Sequence, residues 1–115
     1  MREDGARAEA LAAQFLMRRG LAIVARNFRT RRGEIDLVAR DGATLVFVEV
    51  RLRRSDDFGG AAASITARKR ERLVAAAGAY LAMLGREPPC RFDAILMRGL
   101  DAGTIEWRRD VLSVA

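Results

Sequence analysis

Glu34 and Asp36, then Glu49 and Arg51, stand two residues apart in the stretch from Gly33 to Arg51. Side chains on a strand alternate between faces, so at this spacing each pair shares one face of its own strand. Between the pairs lies Asp41-Gly42, a turn-forming dipeptide flanked by β-branched and aromatic runs, and the segment reads as a β-hairpin. With Asp41-Gly42 as a two-residue loop, Arg40 lies opposite Ala43, Asp36 opposite Phe47 and Glu34 opposite Glu49. Asp36 and Glu49 are then diagonal neighbours at about 7–8 Å, a span that one metal ion bridges. A one-residue bulge would break this count.

Ile35, Leu37 and Ala39, with Val46, Val48, Val50 and Leu52, make the opposite faces apolar, and the shared face turns apolar toward Val38, Leu45 and Phe47. Three carboxylates therefore sit at one end of otherwise buried strands. They repel and lose hydration unless a cation, an arginine or bound protons compensate. Carboxylates without histidine or cysteine are hard oxygen ligands, and two of them with water and a phosphate suit Mg²⁺ or Mn²⁺. Such an ion lowers the pKa of a bound water, orients it and stabilises charge on a scissile phosphate. The corresponding reaction class is phosphodiester hydrolysis. On spacing alone, an ion-pair network of arginine-balanced carboxylates is the readier explanation.

Composition narrows the alternatives. The chain of 115 residues is expected to form a single domain over 1–115, with half its residues hydrophobic. Its net charge of +6 and pI near 11.1 favour a polyanionic partner, although Lys69 is the sole lysine among 21 basic residues and the arginine excess partly tracks genome composition. Without histidine there is no serine–histidine triad, no histidine-ligated zinc and no histidine base. Cys90 is the only cysteine, which fits a cytoplasmic location, and no apolar run approaches the roughly 20 residues of a membrane span.

These residues need elements to position them. Alanine, leucine, glutamate and arginine at helical spacing predict a helix from about Glu3 to Arg19, with Ala8, Leu11, Ala12, Phe15 and Leu16 as its apolar stripe and Gly20 as its C-cap. Glu9 lies beside that stripe, either solvated or over the acidic patch. A strand over Leu21–Phe28 leads into the basic connection that contains Arg29, Arg31 and Arg32, which neutralise the carboxylates or hold phosphates. After the hairpin, Arg53 and Arg54 open a polar, glycine-containing loop to Gly60 at the mouth of the patch. Thr66 to Leu84 reads as a second helix whose first turns carry Arg68, Lys69, Arg70 and Arg72. Strands over Arg91–Met97 and Thr104–Trp107 follow, with a turn at Asp101-Ala102-Gly103, and Tyr80 and Trp107 read as packing residues rather than stacking platforms.

Several of these segments also carry a resemblance. Gly33-Glu34-Ile35-Asp36-Leu37, Val46-Phe47-Val48-Glu49-Val50, Phe58-Gly59, Lys69, Arg91-Phe92-Asp93 and Arg26-Asn27-Phe28-Arg29 together resemble the YraN family of uncharacterised bacterial proteins, over nearly the whole chain. That family is similar to archaeal Holliday-junction resolvases and, by that likeness, to the PD-(D/E)xK restriction-endonuclease-like fold. The resemblance implies an α/β fold with an αβββαβ core, a mixed sheet flanked by helices, in agreement with the element order above.

It also implies a catalytic set of Glu9, Asp36, Glu49 and Arg51. Asp36 and Glu49 would hold Mg²⁺ or Mn²⁺, Glu9 would complete the site through water, and Glu34 would accompany them. Arg51 departs from the pattern, which has lysine there. Its guanidinium holds a phosphate or stabilises a transition state but stays protonated, so it is no general base. Lys69 either supplies the displaced amine or is a helix-surface charge. The implied protein binds nucleic acid, DNA and branched DNA among its forms, and hydrolyses phosphodiesters with Mg²⁺; the basic segments read above offer Arg29, Arg31, Arg32, Arg53, Arg54 and Arg68 as its backbone contacts. A homodimer is implied by the likeness to junction resolvases. The alternatives are a nucleic-acid-binding module whose catalysis has decayed at Arg51, and a protein-interaction adaptor.

Overall fold

The computed structural model describes residues 2–52 and 66–112. Helix α1 (Arg2–Arg18) precedes strands β1 (Ala22–Arg29), β2 (Glu34–Asp41) and β3 (Thr44–Leu52). Helix α2 (Ala67–Leu84), β4 (Cys90–Met97), a 3₁₀ turn over Ala102–Thr104 and β5 (Ile105–Arg108) complete the order. The strands form one sheet in the order β1-β2-β3-β4-β5, antiparallel except for the parallel pair β3 and β4, whose crossover contains α2. This is the α/β, αβββαβ restriction-endonuclease-like core, with β5 added at its edge and a helix on each face of a mixed sheet.

Local chemistry ends each helix. Leu21 donates to the Leu16 carbonyl and Gly20 to that of Met17, with Gly20 at φ 92°, so the close of α1 is a Schellman turn that only glycine adopts without strain. Leu16 and Leu21, the two apolar residues that bracket this turn, are both buried in the core. At the other helix, the Thr66 hydroxyl accepts from the Lys69 N–H as N-cap, and Gly85 closes the last turn in the left-handed region.

The helices bury different strand faces. Ala8, Ala12 and Leu16 of α1 pack on Leu37, Ala39, Val46, Val48, Ile95 and Met97. Leu73, Ala76, Ala77 and Tyr80 of α2 pack on Ile35, Val38, Leu45 and Phe47. Each fully buried leucine or phenylalanine here contributes about 1.5–3 kcal/mol. Tyr80 and Trp107 pack as expected, Tyr80 edge-on to Phe28 and Phe47, Trp107 edge-on to Phe15. Among the described residues, no helix is long and apolar enough to cross a membrane.

Two expectations about the hairpin are corrected. The loop is Gly42-Ala43 rather than Asp41-Gly42: Asp41 pairs with Thr44 and Arg40 with Leu45. Gly42 alone takes a positive φ, 61°, which matches a turn with glycine first. The register therefore moves by two residues, which preserves parity, and its continuation sets Asp36 opposite Glu49 instead of opposite Phe47. The strict alternation of β2 also fails. Ile35 packs with Val38 on the α2 side, while Leu37 between them packs on the α1 side as alternation requires of Leu37 alone. Phe28 and Ala25 of β1, the partners of Ile35 and Val38, share the same face despite odd spacing. The facing changes between Ile35 and Leu37, next to Asn27 of β1, whose φ of 53° is a left-handed conformation that asparagine tolerates, while the register shift between β1 and β2 lies farther along, between Ile23 and Ala25.

Candidate functional site

The backbone slip decides where Asp36 points. Regular pairing of β2 with β3 stops at Leu37 and Val48, and beyond it the Val50 N–H donates to Asp36 Oδ2 at 2.8 Å. A side-chain oxygen thus takes an amide that a continued ladder would have bonded. β3 remains fixed on its other edge, where it pairs with β4 through Leu52. Glu49 and Arg51 are consequently held on a rigid strand while Asp36 sits at the fork.

The electrostatics of the fork are unfavourable to charge. Burial pushes the Asp36 carboxyl above its ordinary value, against the lowering effect of the Val50 amide. Glu49 is pushed up to about 8, by burial first and by the Asp36 charge second, with Arg51 opposing. The two carboxyls interact, so that the charge of Asp36 makes Glu49 the harder of the two to ionise. Glu9, from α1, is raised as well, by burial and then by Asp36, while the Asn27 amide favours its ionised form. Three carboxyls from α1, β2 and β3 thus each bind protons more readily, because burial and their mutual repulsion outweigh the charge of Arg51.

Arg51 is the cation closest to hand, and its pairing is incomplete. Its Nε lies 3.1 Å from Glu49 Oε2, with the two side chains only 19% and 15% exposed. The alignment is not that of a hydrogen bond, and both Nε and Nη2 are buried without an acceptor among the described residues. A buried guanidinium nitrogen without an acceptor is costly, and it is the kind of group an anion would satisfy. Arg51 faces a cleft of about 390 Å³ whose rim carries Glu34, Thr66, Arg68, Lys69 and Arg72 beside Glu49. Thr66, Arg68 and Lys69 form the N-terminal end of α2, whose free amides add partial positive charge.

The fold therefore brings Glu34, Glu49, Arg51, Arg68 and Lys69 to one cleft and sets Asp36 beside Glu49 and Glu9 beside Asp36. Glu34 stands on its exposed edge and pairs with Arg29 at 3.3 Å, a solvent-exposed contact that contributes little stability. Arg31 is exposed in the β1–β2 turn, and Arg32 lines a neighbouring groove rather than the cleft. Arg53, Arg54 and Phe58-Gly59 lie outside the described residues. The expected pairing of Asp36 with Phe47, with Glu49 on the diagonal, is not found: Phe47 pairs with Val38, the ladder ends at Leu37 and Val48, and Asp36 takes the Val50 amide.

As to metal, the donors are all carboxylate oxygens, which suit a hard divalent cation. Among the described residues, no group of three or more carboxylate or thiol side chains forms a ready-made cage. Asp36 and Glu49 are the pair that fits, with the remaining positions left to water and phosphate, as Mg²⁺ prefers.

A second carboxylate provides the contrast. Asp93, 1% exposed, accepts from Arg91 Nε at 3.1 Å, Trp107 Nε1 at 2.9 Å and the Asp110 N–H at 2.9 Å. Arg91 also reaches Asp41 at 3.1 Å and so ties β4 to β2. Asp93 is fully partnered and holds the sheet edge together, whereas the fork carboxyls are not. No role for Asp93, Asn27 or the Val50 amide was visible in the spacing, whereas Arg72 stood in the basic cluster expected on the second helix. Asn27 did carry a local signal, an asparagine in a strand-forming run, since that residue type enters left-handed backbone.

The comparisons with known proteins agree on kinship. Residues 8–97 match the model of the uncharacterised protein family UPF0102. A UPF0102 protein of Methylobacillus flagellatus is 54% identical over 113 residues, 98% of this chain and 99% of that protein. One from Nitrosospira multiformis is 50% identical over 99% of this chain and 96% of its own length, and one from Nitrosomonas europaea 53% identical over 92% and 90%. With the family match spanning the fork from Glu9 to Arg51, and β4 beyond it, the chain belongs to the UPF0102, or YraN, family.

Proposed function

We propose that this protein binds nucleic acid, DNA in the first instance, and hydrolyses its phosphodiester bonds with the aid of Mg²⁺ or Mn²⁺. The observation that carries the reading is the fork: a buried carboxyl pair, Asp36 and Glu49, short of positive charge and next to an arginine with two buried nitrogens lacking acceptors among the described residues. A divalent ion answers the first deficit and a phosphate the second. Asp36 and Glu49 would hold the ion, which when bound activates water and offsets charge on the phosphate. Arg51 would grip the phosphate, and Glu9 would orient water from the α1 side. Lys69, on the same cleft, is positioned to share the phosphate charge, and Arg68 extends the contact along α2. Because Arg51 stays protonated and offers no base, the proton of the attacking water would pass to a carboxylate of the site or to solvent.

The test is incubation of the protein and its Asp36→Asn variant with labelled four-way junction, flap and linear DNA, in Mg²⁺, Mn²⁺ or chelator. Cleavage by the wild type, lost with chelator and in the variant, is the expected result. Equal cleavage by both proteins would sink the proposal.

One contact favours a second reading. Arg51 Nε already stands 3.1 Å from Glu49 Oε2, so an internal cation takes part of the charge a metal would claim. On that reading the protein binds nucleic acid without cutting it. Salt-sensitive binding by both proteins with no cleavage on any substrate would select it.

A further inference from the structure

The flank of α2 carries a feature the carboxylate fork does not use. Among the described residues, a groove of about 720 Å³ is lined by Arg32, Arg68, Arg70 and Arg72, by a single carboxylate, Glu71, and by Val74 and Ala75. One wall is the β1–β2 turn and the other is α2. The two walls touch through their main chains, since a Cβ on Gly33 would lie 2.1 Å from the Arg72 carbonyl oxygen, so the gap between them is fixed. Arg68 and Arg72 also line the Arg51 cleft, and through them groove and cleft adjoin.

Four guanidiniums against one carboxylate call for a polyanion. Size then selects among polyanions. Spaces of about 390 and 720 Å³ are on the scale of single nucleotides, and a rigid double helix enters neither. Arg68 and Arg72, four residues apart on one helix face, present charges at a spacing of about 5–6 Å, comparable to the step between phosphates along one strand. Val74 adds an independent sign: it is 51% exposed among these arginines, an apolar surface that phosphates do not use. The face of an unstacked base does use such a surface, and in an intact duplex base faces are covered by their neighbours.

We propose that the groove and cleft together hold a single nucleic-acid strand, with phosphates on Arg32, Arg68, Arg70 and Arg72 and a base against Val74, so that the substrate class is unpaired strand rather than intact duplex. This rests on the nucleic-acid reading above and narrows it.

The test is fluorescence anisotropy of the full chain with labelled single strands of DNA and of RNA, each about twelve nucleotides long, against a blunt duplex of equal length, over a salt series. Single strand of either sugar should bind at least about tenfold more tightly than duplex. Val74→Ser should weaken single-strand binding about fivefold and leave duplex binding unchanged. Arg32→Gln and Arg70→Gln should each weaken it and flatten the salt slope by about one unit. All three positions except the apolar contact are surface charges, and matching urea midpoints will show that the variants fold. Duplex bound as tightly as single strand, or single-strand binding indifferent to Val74→Ser and Arg32→Gln, overturns the strand proposal alone. Absence of salt-dependent binding to every probe overturns the nucleic-acid reading with it.

Discussion

Gly33 and Arg72 meet through their main chains: a Cβ added to Gly33 would stand 2.1 Å from the Arg72 carbonyl oxygen and 2.7 Å from its carbonyl carbon. Gly33 is buried, and its φ is not in the left-handed region, so glycine is required here by space and not by conformation. The contact seats the first turns of α2 on the β1–β2 turn and thereby sets the width of the cleft that Arg51 faces.

Gly33→Ala should therefore destabilise the fold by about 1–3 kcal/mol and shift α2 from the sheet. Gly78 provides the control within the same helix, since a Cβ there meets nothing within 4 Å. Gly78→Ala should stabilise by about 0.5–1 kcal/mol through helix propensity alone. Urea midpoints of the two variants check the pair, and the same sign for both would refute the steric account.

Asp93→Ala removes the acceptor for Arg91, Trp107 and the Asp110 amide at once. Arg91 is then left half-buried with Asp41 as its remaining partner. The expected cost is about 3–5 kcal/mol, read as a lowered urea midpoint. Asp93→Asn should recover part of it, because the amide oxygen still accepts. A loss below about 1 kcal/mol for the alanine variant would show that Asp93 does not brace the sheet edge.

The contrast between the two carboxylate groups explains what was legible in the chain. Apolar periodicity gave both helices, the hairpin and the strand order, because burial on a sheet face or helix stripe is written into every second or fourth residue. Glu49 and Arg51 could be placed on one face because β3 stays regular there, paired with β4 through Leu52. Asp36 could not be placed by the same rule, since its position depends on a backbone slip opposite Asn27, and alternation carries no record of a slip. The two-residue change of loop register likewise turned on whether Asp41 or Gly42 opened the turn, a choice set by strand pairing and not by the dipeptide. Asp93 was hidden for another reason: its donors come from β4, β5 and the segment after β5, and no local pattern announces a partnership across such distances.

Stability should depend on pH in an unusual direction. Glu49 titrates near 8 in the folded chain against an ordinary 4.5, and Asp36 and Glu9 are also raised. Groups raised on folding hold more protons in the native state than in the unfolded chain, so the stability they contribute is complete below about pH 4.5 and is lost as pH rises through about 8. In metal-free buffer the urea midpoint should fall over that window, and Glu49→Gln should flatten most of the decline. An unchanged slope in Glu49→Gln would place the responsible protons elsewhere.

The same protons define the test for metal. A cation on Asp36 and Glu49 must displace the protons they hold, so its binding should be weak at about pH 5 and strong at about pH 8. Because the ligands converge only in the folded chain, binding adds to stability as RT ln(1 + [L]/Kd), about 2.7 kcal/mol at a hundredfold excess over Kd. Mg²⁺ or Mn²⁺ should therefore raise the thermal midpoint of the wild type near pH 8 and do so much less near pH 5. Asp36→Asn keeps an oxygen in place to accept from the Val50 amide while removing the charge, so it should melt at or above the wild-type temperature in chelator and fail to respond to the ion. A metal-induced rise of equal size in Asp36→Asn would locate the ion away from the fork and remove the ground for assigning hydrolysis to it.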